Sequence, residues 1–113
     1  MSYESVIKKS KRIEAQLQAI GAEGRGLHQK ATSVEAKLNK STLKAIRYIA
    51  TIRNKLLHED GFELSKKELK NFEYTAEKII LELEKMIKEM EKPSSFIYKF
   101  FDLFKVILNK FLK

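Results

Sequence analysis

The chain has 113 residues, is 43% hydrophobic and 34% charged, and holds four Gly, one Pro and no Cys. These figures suit one ordinary domain and exclude a collagen-like, Pro-rich or mainly disordered chain, a disulfide scaffold, a thiolate zinc site and a cysteine nucleophile. The net charge of +8 is uneven, with +6 in residues 1–60, −1 in 61–92 and +3 in 93–113; such a field attracts polyanions, whether nucleic acid or anionic lipid. So little turn chemistry disfavours many strands, and an all-α fold is expected. Met1 to Lys11 carries charges where a signal peptide needs a continuous apolar run, and no uncharged run reaches the length of a membrane span. A reducing cytoplasm is the expected compartment, with no cofactor and no metal.

The first helix is predicted over Tyr3 to Ile20, where Tyr3, Val6, Ser10, Ile13, Leu17 and Ile20 alternate by three and four and lay one stripe along it. Gly21 stands where a helix end favours a left-handed residue, and the glycines at 21, 24 and 26 read as a connector, because no strand precedes them and no Lys-Ser/Thr pair follows. A second helix over Leu27 to Asn39 puts Leu27, Ala31, Val34 and Leu38 on one face. The third is expected from Ser41 or Thr42 to Glu59, closed by Asp60-Gly61. The fourth opens with Ser65-Lys-Lys-Glu68, a capping box, and carries an apolar face from Leu69 to Met90 that ends before Pro93.

Four amphipathic helices with short connections predict an antiparallel four-helix bundle over residues 1–92. Residues 93–113 form a separate element, an additional amphipathic helix with five of the seven Phe residues and a narrow Lys-bearing stripe. Its apolar face must lie on the bundle, on a partner or on a membrane surface.

The third helix carries the chemistry. Taking about 100° per residue from Ile46, the residues Leu43, Ala45, Ile49, Ala50, Ile52, Leu56 and Leu57 share the arc from about 240° to 60°. Arg53 falls inside that arc, where a permanent charge is costly unless paired or bound to an anion. Arg47, Thr51, Asn54 and His58 line up just beyond its edge, a cationic, hydrogen-bonding and titratable row. An inward arginine most often bridges a carboxylate of another helix, and a histidine near a helix C-terminus often favours the dipole alone. His28 stands by itself and reads as a surface or packing residue. No His-Glu-x-x-His, Walker loop or nucleophile elbow is present.

Arg53-Asn54-Lys55-Leu56-Leu57-His58 resembles the Arg-polar-x-x-x-His signature of the HEPN (higher eukaryotes and prokaryotes nucleotide-binding) superfamily. The resemblance extends over residues 1–92 in helix count and layout, while its specific part is six residues long and the Phe-rich tail has no counterpart. It implies a HEPN-type bundle and a metal-independent endoribonuclease, in a toxin or antiphage defence context. It also implies a homodimer in which two copies of the motif form one cleft on RNA, and an antitoxin or other neutralising protein as a further partner. In that setting His58 takes or delivers the proton, Arg53 holds the developing phosphorane charge and Asn54 orients phosphate or base. Arg47, Thr51 and Lys55 are added from the helical wheel as RNA contacts. Degenerate members suggest the alternative of a non-catalytic RNA-, nucleotide- or partner-binding module, attached to a membrane surface through residues 94–113.

Overall fold

The computed structural model describes residues 2–91, which form α1 (Ser2–Ala19), α2 (Gly26–Ser33), a 3-10 turn (Glu35–Lys37), α3 (Lys40–His58) and α4 (Lys66–Glu91). The Phe-rich segment 93–113, and with it the domain boundary placed at 92/93, lies outside the described residues. Within them the all-α expectation holds.

The α1 stripe is buried at Val6, Ser10, Ile13, Leu17 and Ile20, and packs with Ile46, Ile49 and Ala50 of α3 and with Phe72, Ala76, Ile79, Ile80 and Leu83 of α4. Each set recurs every three or four residues, so each helix turns one apolar face inward. Helix α1 closes in a Schellman motif. Gly21 takes φ +102°, Gly21 N–H donates to Gln18 O (3.0 Å) and Ala22 N–H donates to Leu17 O (2.9 Å). Lys37 Nζ adds a cation at the same end by donating to Ile20 O (2.8 Å).

The strictly antiparallel arrangement is corrected by the contacts between helices. Ser5 Oγ donates to Glu73, Lys9 Nζ to Glu77 and Gln16 Nε2 to the Ile80 carbonyl, so the contacts climb α1 and α4 together and the two helices run in the same direction. Lys30 meets Glu14 and Lys37 meets Ile20, so α2 with its 3-10 turn also ascends alongside α1. Only α3 opposes its neighbours. The groove it forms with α4 has Tyr48 beside Asn71 toward one end and Asn39 beside Glu82 toward the other.

The cause lies in the connection after α1, which doubles back before α2 begins. Glu23 N–H donates to Ser33 Oγ (2.9 Å) and Arg25 N–H donates to Gln29 Oε1 (2.9 Å), laying the connection along α2. Gly24 permits this path: at φ +115° a Cβ would stand 2.8 Å from Gln29 Cβ.

Helix α2 is shorter than the Leu27 to Asn39 expected. Ser33 Oγ donates to Lys30 O (2.7 Å) while accepting from Glu23, a side-chain alternative to the helical ladder, and the chain passes into the 3-10 turn. Helix α3 starts at Lys40 because Asn39 caps it, accepting from Thr42 N–H (2.7 Å). At the head of α4 the capping box forms as expected: Ser65 N–H donates to Glu68 Oε1 and Glu68 N–H donates to Ser65 Oγ, both at 3.1 Å.

Hydrogen bonds from the backbone and side chain of Ser65 hold the Glu68 carboxyl below the usual carboxylate range, and the hydrogen bond and charge of Lys9 do the same for Glu77. A lowered folded pKa gives stability that is full above the ordinary carboxylate range and is lost as pH falls through the folded value. Lys9→Met, which removes the Glu77 partner, and Glu68→Gln, which removes the titrating carboxyl, should therefore each lower stability at neutral pH and flatten its fall on acidification, read by urea unfolding at several pH values; an unchanged acid limb would contradict the linkage. Ser10 Oγ is buried without a partner among the described residues. Ser10→Ala should leave stability unchanged or raise it by up to about 1 kcal/mol, because a desolvated hydroxyl is removed.

Candidate functional site

Burial thins along the inner arc of α3. Ile46, Ile49 and Ala50 are buried, Ile52 and Leu56 are half-buried, and Leu57, expected on the buried face, is 41% exposed. Length explains this: α2, with 8 residues, spans about 12 Å, whereas α3, with 19, spans about 28 Å, so α2 cannot cover it from end to end. The last turns of α3 carry the Arg53 to His58 signature in this less covered stretch.

Arg53 points inward, as the wheel predicts, and finds a carboxylate in its own chain. Its Nη1 donates to Glu14 Oε2 (3.2 Å) from a side chain 19% exposed, while Lys30 Nζ donates to Glu14 Oε1 (3.2 Å) and to the Gly24 carbonyl (2.8 Å) from a side chain 7% exposed. Two cations thus share one carboxylate where α1, α2 and α3 meet. The inward arginine thus bridges a carboxylate of another helix, the usual fate of such a residue, within one chain. Arg53 Nε is buried with no partner among the described residues.

The flanking row divides. Arg47 Nη2 donates to Thr32 Oγ1 of α2 (2.9 Å), and Thr51 Oγ1 donates to the Arg47 carbonyl one turn back (2.9 Å), so these two are engaged in local packing and backbone contacts. Asn54, Lys55 and His58 are exposed. Lys55 Nζ lies 5.9 Å from the centre of the Phe62 ring, a cation–π contact that draws it toward the α3–α4 connection. His58 is the last residue of α3, and neither its side chain nor that of Asn54 makes a hydrogen bond to the described residues. Within one chain, then, Arg53 converges with Glu14 and Lys30, Arg47 with Thr32 and Thr51, and no hydrogen bond joins the Arg53 and His58 side chains, which stand about 140° apart around α3. His28 is half-buried and lines a shallow groove with Glu23, Gln29 and Thr32.

Sequence reasoning missed Glu14 and Lys30. Lys30 was within reach, because it stands with Leu27 and Ala31 on the inner face of α2, the same misplacement that singled out Arg53. Glu14, at the edge of the α1 stripe, carried no such signal. Among the described residues no three metal-ligating side chains cluster, and no helix is long and apolar enough to cross a membrane. No family model, curated protein or solved structure matches the chain.

Arg53→Ala should cost only about 1–2 kcal/mol, since Glu14 keeps Lys30 as a partner, and His58→Ala should stay within about 0.5 kcal/mol. Urea unfolding measures both. A loss of about 3–5 kcal/mol for Arg53→Ala, the range for a broken buried ion pair, would show that Lys30 does not compensate Glu14.

Proposed function

We propose that this chain is a HEPN-like domain that cleaves RNA without a metal ion, as a homodimer in the cytoplasm. The observation that carries the proposal is the Arg53-Asn54-x-x-x-His58 signature on the last turns of α3, where the imidazole of His58 and the side chain of Leu57 are exposed and the Arg53 guanidinium lies on the inner arc, paired with Glu14. Arg53 and His58 stand on different sides of α3, which supports a site assembled from two copies that bring their α3 ends together, with Leu57 in the shared surface. The positive field of residues 1–60 draws RNA to this half of the molecule.

In the dimer, the imidazole of one His58 accepts the proton of a ribose 2'-hydroxyl, whose oxygen attacks the adjacent phosphorus. Arg53 holds the charge that builds on the non-bridging oxygens. The bond from phosphorus to the 5'-oxygen breaks, the imidazolium of the other His58 protonates that oxygen, and the products carry a 2',3'-cyclic phosphate and a 5'-hydroxyl. Asn54 orients phosphate or base, and Arg47, Thr51 and Lys55 lie along the path of the RNA backbone. In a toxin or antiphage setting a neutralising protein would cover this end of α3. Residues 94–113 are proposed to attach the domain to a partner or a membrane surface.

One observation favours a second reading, a non-catalytic RNA- or partner-binding module: the Arg53 guanidinium is already engaged by Glu14. Incubation with single-stranded and structured RNA in EDTA separates the two. The nuclease requires cleavage by wild type, a loss of about 100-fold or more in Arg53→Ala and in His58→Ala, and in Lys55→Ala only weaker binding with a shallower salt dependence. Wild-type protein that binds RNA and cleaves none, with or without divalent metal, would establish the binding module instead.

A further inference from the structure

Resting on the RNA-cleaving function proposed above, we infer that Glu14 is the positioning residue for Arg53, and that Lys30 keeps the carboxylate from neutralising the guanidinium it holds. Glu14 takes Arg53 through one oxygen and Lys30 through the other, each at 3.2 Å. Lys30 cannot leave easily: it is buried, and its ammonium is also fixed to the Gly24 carbonyl at 2.8 Å, inside the connection that folds back along α2. The carboxylate's single charge is therefore divided between two cations, and the cluster keeps one positive charge in excess.

The geometry of the guanidinium completes the argument. Nη1 donates to Glu14 and Nε is buried without a partner among the described residues, so contact and burial together turn these two nitrogens inward while Nη2 makes no hydrogen bond among the described residues. A guanidinium presents its donors in a rigid fork, so the Nη1 contact with Nε turned inward sets the direction of Nη2. Arg53 is thus aimed before any anion arrives, and the excess positive charge awaits a phosphodiester. An arginine paired one-to-one with a carboxylate would be as well oriented but electrically spent. An unpaired arginine on this arc would be charged but would have no fixed direction.

Two arms test this on the full-length protein. In the first, without RNA, nitrogen-15 NMR follows rotation of the Arg53 guanidinium. Slow rotation is expected in wild type and fast, averaged rotation in Glu14→Ala. In the second, single-turnover cleavage of a fluorescein-labelled single-stranded RNA is measured in EDTA. Glu14→Ala should lower the maximal rate about 10-fold or more with under about 3-fold change in the half-saturating RNA concentration, and Glu14→Gln, which still accepts from Arg53, should recover most of the rate.

Lys30→Met leaves Glu14 to neutralise Arg53 alone and should raise the half-saturating RNA concentration about 3- to 10-fold with a shallower salt slope. Fast rotation in wild type, or a folded Glu14→Ala protein that cleaves at the wild-type rate, overturns the positioning role. RNA binding by Lys30→Met equal to wild type overturns the charge sharing, and decides the matter if Glu14→Ala does not fold. Wild-type protein that cleaves no RNA but shows Arg53 fixed by Glu14 removes the nuclease function while sustaining the anchoring of Arg53.

Discussion

The Glu14 carboxylate joins three helices through two cations. Lys30 reaches it from α2 and Arg53 from α3, and Lys30 also fastens the Gly24 carbonyl, so one acidic side chain fixes where the α1–α2 connection, α2 and the end of α3 lie relative to α1. Helix α2 depends on it most. With 8 residues it is too short to be stable by itself, and its buried side chains are Leu27, Lys30 and Ala31, so a charged residue supplies part of its anchoring. Taking such charges out of water is costly, and hydrophobic replacements often do as well for stability. On the proposed function, the lysine and the arginine at this junction serve to present a held guanidinium with charge to spare rather than to add stability.

The course of the chain follows from the same junction. Short connections make an up-and-down bundle the natural expectation, and each helix's inner face was legible as a stripe, from Val6 to Leu17 on α1 and from Phe72 to Leu83 on α4. The Ser65 to Glu68 cap was legible because both partners lie within one turn. Direction was not. Parallel α1 and α4 are set by contacts between residues 64 or more positions apart, Ser5 to Glu73, Lys9 to Glu77 and Gln16 to Ile80, and by a connection that turns back through Gly21 and Gly24. Local pattern reports which face is apolar, and such a face packs equally well against a neighbour running either way.

The candidate site shows the same division. The helical wheel placed Arg53 inward and left His58 and Asn54 outward, and the side chains are found so. It placed Leu57 inward as well, where the short α2 leaves it exposed. The carboxylate that meets Arg53 lies 39 positions away in sequence and could not be read from the third helix alone. In chemical terms the end of α3 offers a fixed cation and an exposed imidazole on different sides of one helix. Two copies placed end to end would supply both sides to one phosphate, which is why the homodimer belongs to the proposed function and why one chain shows only its parts.

The proposed function has this surface perform transesterification through imidazole and guanidinium, without a metal ion. The chemistry of the ends left on the RNA reports on it directly. After incubation of the full-length protein with a single-stranded RNA in EDTA, the account predicts fragments with 2',3'-cyclic phosphate and 5'-hydroxyl ends, because the attacking oxygen comes from the RNA itself. Fragments with 3'-hydroxyl and 5'-phosphate ends, or RNA that stays intact, would contradict it.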